Sequence, residues 1–238
     1  MFGCNPSPTA TPSTACASDE RRRLQRLFER AFAHFGPRHW WPGDTRFEVC
    51  IGAILTQNTA WTNVEKAIAN LRTKKWLSVR AIHDAPLGDL AATIRPSGYY
   101  NQKAKKLKAF CGRVVAAHGG RLERFLAQDA AALRAELLAI NGVGPETADS
   151  IVLYAANKPI FVVDAYTRRI VHRMGLTAED ISYDDLQSLF HRRFRPDAAF
   201  YNEFHALIVA VGKEYCRKRA PRCPQCPNSY RRVSQAAP

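Results

Sequence analysis

From Leu138 to Asp149 the chain reads Leu-Ala-Ile-Asn-Gly-Val-Gly-Pro-Glu-Thr-Ala-Asp, and shortly afterwards the apolar run Pro159-Ile-Phe-Val-Val ends in Asp164. Gly142 and Gly144 can take backbone angles closed to other residues. Pro145 suits the first turn of a helix, where its missing donor costs nothing. The segment therefore reads as two helices joined by a tight hairpin, followed by a buried stretch that ends in one carboxylate. The amides at the second helix start would face outward, ready for a phosphate. Gly-Val-Gly alone fits an ordinary helical hairpin equally well. Asp164, standing before Ala-Tyr-Thr-Arg-Arg-Ile-Val-His-Arg, fits an N-cap.

Helical spacing recurs along the rest of the chain. Leu24, Leu27, Phe28, Ala31, Phe32 and Phe35 fall on one face, with arginines opposite and Gly36-Pro37 as a stop. Further helices are predicted over Phe47–Thr56, Thr62–Leu71 and Leu87–Ile94, and beyond a turn at Arg95-Pro-Ser-Gly. Others follow over Leu122–Ala127, Ala130–Ile140, Ala148–Ala156, after Asp164, and over Leu186–Phe194 and Ala199–Gly212. No alternating run is long enough for a sheet, so the fold class is all-α. Residues 1–18, rich in Pro, Ser, Thr and Ala, are expected to form a disordered tail.

Lys and Arg number 35 against 21 acidic residues, a formal charge of +14, which favours a polyanionic partner such as nucleic acid. A basic solvated surface is the plainer account of the same numbers. No apolar run approaches the roughly 20 residues of a membrane span, and the first residues lack a signal-peptide pattern. A cytoplasmic protein with no membrane partner is expected. Seven cysteines, three of them crowded near the C-terminus, argue for thiols or metal rather than a disulfide framework.

Taken together, Gly142-Val143-Gly144 with Thr147-Ala148, Val162-Val163-Asp164, Thr56-Gln57-Asn58-Thr59 and the terminal cysteines Cys216, Cys223 and Cys226 resemble the endonuclease III superfamily of helix-hairpin-helix DNA glycosylases. The segments His39-Trp-Trp-Pro42, Leu55–Thr59 and Arg95–Lys105 are most similar to the bacterial 3-methyladenine DNA glycosylases of that fold. The resemblance implies a two-domain helical fold with a cleft. A six-helix barrel would span residues 47–158, and a second domain would combine 19–46 with 159–238. It implies a monomer acting on double-stranded DNA that contains a damaged base, with the hairpin residues Gly142, Val143, Gly144, Glu146 and Thr147 on the DNA backbone. Gln57 would fill or flank the space left by the flipped nucleotide. Among the basic residues of the helix after Gly98, Lys103 is taken as a DNA contact, though the spread of Lys103, Lys105, Lys106 and Lys108 also suits a solvated face.

The same resemblance makes Asp164 the catalytic carboxylate, since cutting a base from its sugar develops positive charge on the sugar. A cap and a catalyst need only different oxygens. Strand-cleaving members carry a lysine nucleophile where this chain has Glu146, which cannot form a Schiff base. A monofunctional glycosylase is therefore expected. A base methylated on a ring nitrogen is a flat cation, and indole faces bind cations best. Trp40 and Trp61 would sandwich it with Trp41 close by, and Lys213 matches a lysine near the pocket of those relatives. Cys216, Cys223 and Cys226 match three ligands of the family's 4Fe–4S cluster, but Arg232 stands where the fourth belongs. An intact cluster, its loss, or zinc on three thiolates and another ligand all remain open. Two rival functions stay beside the first: a strand-cleaving enzyme for oxidised pyrimidines or mismatches, and a non-catalytic DNA-binding protein.

Overall fold

The computed structural model describes residues 14–229, and every regular element among them is helical. In chain order these are α1 (Thr14–Phe35), α2 (Arg46–Leu55), α3 (Trp61–Thr73), α4 (Val79–Asp84), α5 (Leu87–Thr93), α6 (Tyr100–His118), α7 (Leu122–Leu126), α8 (Ala130–Leu138), α9 (Pro145–Ser150), α10 (Ala165–Arg173), α11 (Tyr183–Arg193) and α12 (Ala198–Glu214). Short 3-10 turns lie at Arg95–Ser97 and Cys223–Gln225, and a π-helical turn at Ile151–Ala155 extends α9. The all-α expectation holds. No helix among the described residues is long and apolar enough to cross a membrane.

The chain divides into two compact units. One holds the described residues up to Arg38, then Val163–Pro196, then those from Asn202; the other is His39–Val162 with Asp197–Tyr201.

The second unit is built on α2, whose residues from Phe47 to Leu55 are all buried. It packs against α3, α6, α9 and the π turn. Each fully buried Ile or Leu here contributes roughly 1.5–3 kcal/mol of transfer free energy. Glu48, the one charged residue buried on α2, accepts from Arg72 at 2.7 Å and from the Asp44 amide at 2.9 Å. Thr45 caps the helix, its hydroxyl accepting from the Glu48 amide at 3.2 Å.

In the first unit the buried face of α1, Leu24, Leu27 and Ala31, belongs to a core shared with Leu186, Leu189 and Phe190 of α11 and with Phe204, Leu207 and Val211 of α12. Phe28, Phe190 and Phe194 each meet the Phe204 ring edge-on, at 5.4, 5.5 and 5.7 Å. Glu20 and Arg193 join α1 to α11 through a 2.6 Å ion pair.

Besides shifts of a few residues at helix ends, two features differ from those expected. Helix α1 begins at Thr14, inside the stretch read as tail, and the rest of that tail, residues 1–13, lies outside the described residues. Helix α4 was not anticipated: six residues with only Val79 and Ile82 buried are too short to show a period.

Candidate functional site

The hairpin joins α8 to α9 within the second unit. Gly142 takes φ +86°, which a side chain rarely adopts, and a Cβ there would lie 2.5 Å from the Lys106 Cγ. Gly144 instead has φ −93° and ψ 177°, open to any residue, with nothing within 4 Å of an added Cβ. Only the first glycine is therefore demanded by the fold. Arg134 of α8 braces the pair of helices by donating to both oxygens of Asp149, at 2.7 and 3.4 Å, and Asp149 is fully buried.

Val143 does not fit the DNA contact expected of it. Its side chain is buried and its amide donates to the Ile140 carbonyl at 3.0 Å, so neither faces outward. Thr147 is buried as well, and Glu146 is exposed in the first turn of α9, where an acid suits the helix dipole.

Gln57, just beyond the end of α2, reaches the hairpin. Its Nε2 donates to the Thr147 hydroxyl at 2.8 Å and to the Gly142 carbonyl at 3.4 Å, and its Oε1 accepts from the Lys106 ammonium. Lys106 thus covers Gly142 with its stem and holds Gln57 with its head.

Lys103 is a correction. It is 2 % exposed, and its ammonium donates to the Leu55 and Ser97 carbonyls at 2.8 and 2.6 Å. A group so enclosed cannot meet a phosphate. It satisfies a carbonyl at the end of α2 that has no partner within its helix. Burial, with the Lys106 charge adding to it, lowers its pKa to about 8.

Trp40 and Trp41, joined by a cis peptide bond, gather with Trp61 and Tyr154 in the second unit. The rings of Trp41 and Trp61 meet at 5.2 Å, nearly perpendicular, and Trp41 and Tyr154 at 5.1 Å. Gly52 makes room for them: a Cβ there would lie 3.2 Å from both the Trp41 Nε1 and the Trp61 ring. The Trp41 Nε1 is buried with no hydrogen-bond partner among the described residues, whereas the Trp61 Nε1 donates to Glu65 at 2.9 Å. Trp40 and Trp61 lie 6.4 Å apart at 51°. A base between parallel rings needs two contact layers of about 3.5 Å each, so one ring must turn before the pair becomes a sandwich. Tyr154 escaped the sequence reading because its position in a buried helix resembles core.

Asp164 lies in the first unit, where it caps α10. Its Oδ1 accepts from the Thr167 amide at 2.7 Å and the Thr167 hydroxyl at 2.9 Å. Its Oδ2 faces His205 Nε2 of α12 at 3.6 Å. Burial pushes the carboxyl towards protonation, but His205 and then the two Thr167 donors outweigh it and hold the pKa below the ordinary aspartate value. The cap and the ionised group coexist because they use different oxygens. His205 was missed, since a single histidine on an apolar helix face resembles a core residue. Lys213 is exposed in the last turn of α12.

The cysteines lie beyond α12. Cys216 and Cys226 are half-buried and Cys223 is exposed. Arg169 donates to the Cys216 carbonyl at 2.7 Å, and Arg173 to the Cys216 Sγ at 3.4 Å and the Arg217 carbonyl at 2.8 Å. Burial raises the Cys226 pKa, and the neighbouring Cys216 and Cys223 add to it. No three Cys, His, Asp or Glu side chains among the described residues converge as a metal site. Arg232, at the fourth position, and Arg231 lie outside the described residues. The described residues therefore supply three thiols but no complete ligand set for an iron–sulfur cluster or a zinc ion.

Residues 51–196 match the family described as HhH-GPD superfamily base excision DNA repair protein. "Putative DNA repair glycosylase MJ1434" of Methanocaldococcus jannaschii is 45 % identical over 205 residues, covering 86 % of this chain and 93 % of the relative. The crystal structure of H. pylori 3-methyladenine DNA glycosylase bound to 1,N6-ethenoadenine is 30 % identical, with a TM-score of 0.70 over 82 % of this chain and 97 % of that one. An endonuclease III–DNA complex, at 23 % identity, shares the fold with a TM-score of 0.75 over 87 % of this chain and 92 % of that one. The chain belongs to the HhH-GPD superfamily, as a base excision DNA repair glycosylase of the endonuclease III type.

Proposed function

We propose that the protein is a monofunctional glycosylase that hydrolyses the N-glycosidic bond of an alkylated purine, such as 3-methyladenine, turned out of duplex DNA. The observation that carries the reading is Asp164, a nearly enclosed carboxylate whose Oδ1 accepts from Thr167 and whose Oδ2 faces His205 at 3.6 Å, contacts that lower its pKa. As the bond breaks, positive charge develops on the sugar, and an anion beside that carbon stabilises it and orients water. An N-methylated base is a cation and a good leaving group, so the site needs aromatic faces more than a strong acid. Trp40, Trp41 and Trp61 supply them, with the unpartnered Trp41 N–H available to an acceptor on the base. The similarity to the H. pylori 3-methyladenine enzyme supports the same substrate class.

Strand cleavage needs an amine that can attack the sugar. Glu146 stands where the lyase members carry that lysine. Lys103, whose lowered pKa would otherwise recommend it, is sealed between two carbonyls. In this reading the hairpin around Gly142 and Gly144 holds the DNA backbone, and Gln57, poised on it, enters the gap left by the base. The protein acts as a monomer, and Lys213 approaches the DNA near the lesion.

The test is a panel of duplexes, each with one lesion, in which base release and strand scission are read separately. Release of 3-methyladenine without a nick until alkali is added is expected. A borohydride-trapped covalent complex would overturn the monofunctional assignment, and undiminished release by Asp164→Asn would overturn the role of Asp164.

A further inference from the structure

We propose that His205 is a positioning residue for Asp164, holding the Oδ2 oxygen towards the reacting sugar and keeping the carboxylate charged. The proposal rests on Asp164 being the carboxylate that serves the reaction, and it assigns the group that makes a buried carboxylate usable.

Asp164 is almost enclosed, its side chain 12 % exposed, and His205 is 5 % exposed. A carboxylate taken out of water prefers its neutral form unless charges or donors oppose that. The Thr167 amide and hydroxyl both act on Oδ1, which leaves Oδ2 to face the imidazole alone. Among the described residues no other charged side chain pairs with Asp164: α10 contributes Thr167, α12 contributes His205, and the Tyr183 hydroxyl of α11 accepts from the neighbouring Val163 amide, at 3.4 Å. Without the imidazole, burial would be opposed by the threonine alone.

The 3.6 Å separation is longer than a made hydrogen bond, as is common before substrate tightens a catalytic contact. The direction of the Asp164 shift agrees, since His205 leads the influences that lower it. A neutral carboxylic acid could not stabilise a cationic sugar, so the pair sets the lower pH limit of the reaction. Loss of the imidazole moves that limit upward, because burial is then less opposed.

The experiment compares His205→Leu, His205→Gln and Asp164→Asn with the unaltered protein. Single-turnover release of 3-methyladenine from dimethyl-sulfate-treated duplex DNA is followed between about pH 5 and 9, alongside melting curves and a carbon NMR titration of the Asp164 carboxyl. His205→Leu is expected to slow release by ~10- to 100-fold, the size of one lost charge-assisted contact, and to move both the acid limb and the Asp164 titration to higher pH. His205→Gln, which keeps an N–H donor near the Nε2 position, should recover part of the rate at neutral pH while leaving the acid limb shifted. Release that collapses in Asp164→Asn but keeps its rate and profile in His205→Leu would overturn the role of His205 and leave that of Asp164 intact. Undiminished release by Asp164→Asn would instead remove the reading beneath it, and an Asp164 titration unmoved by either His205 variant would show the pair to be uncoupled. If His205→Leu does not fold, the His205→Gln titration decides the same point.

Discussion

Gly142 and Gly144 stand two apart in the same hairpin and carry different burdens. Gly142 combines φ +86° with the Lys106 stem 2.5–2.9 Å from the place of a Cβ, so Gly142→Ala strains the backbone and displaces that lysine. A loss of about 1–3 kcal/mol on urea unfolding is expected, together with weaker DNA binding as Gln57 loses its hold. Gly144→Ala, in an extended conformation with open space around it, should change stability by no more than about 0.5 kcal/mol. If Gly144→Ala nevertheless weakens DNA binding, the open space is needed for the backbone to approach a phosphate. Equal destabilisation by the two substitutions would refute the distinction. The same scale shows where residue identity misleads: a lysine reads as a surface charge, yet Lys103 is turned inward by two carbonyls that need a donor.

At the scale of elements, the joints matter more than the helices. Glu136 of α8 accepts from Arg113 and His118 of α6, at 2.7 and 2.9 Å, and from Gln128 at 2.7 Å. Burial alone would raise its pKa, but the His118, Gln128 and Arg113 contacts together bring it below the ordinary glutamate value. An unfolded glutamate ionises near roughly pH 4.3. Above that pH the network contributes in full, and its contribution fades as pH falls through the depressed folded value, because the unfolded chain takes up the proton first. Glu136→Gln should therefore cost about 1–3 kcal/mol at neutral pH. The urea midpoints of variant and unaltered protein should converge as the pH is lowered towards about 3; a constant gap would sink this account. Most helices were legible from their apolar period, and the structure adds the caps Thr45, Asp129 and Ser182 to the one read at Asp164. The joints were not, since Glu136, Gln57 and Lys106 carry no periodic signal.

For the molecule as a whole, a charge of +14 stands beside a terminal loop whose described residues show no converging metal site and are tied down by arginine contacts. Replacing Cys216, Cys223 and Cys226 together by serine should leave the melting temperature almost unchanged, and freshly purified protein should show no iron–sulfur absorbance and no bound zinc. A visible band lost on substitution would show that a fourth ligand is supplied after all. By itself the sequence determined the all-α class, a glycine-bearing hairpin and the carboxylate at the head of α10. These are properties of local spacing and residue type, which act over a few bonds. Only the tertiary structure decided that His205 stands beside Asp164, that Gln57 lies on Thr147, and that Lys103 faces inward. Helical periodicity fixes which face of an element is buried, but the partner it meets there, often dozens of residues away, is chosen only when the helices pack.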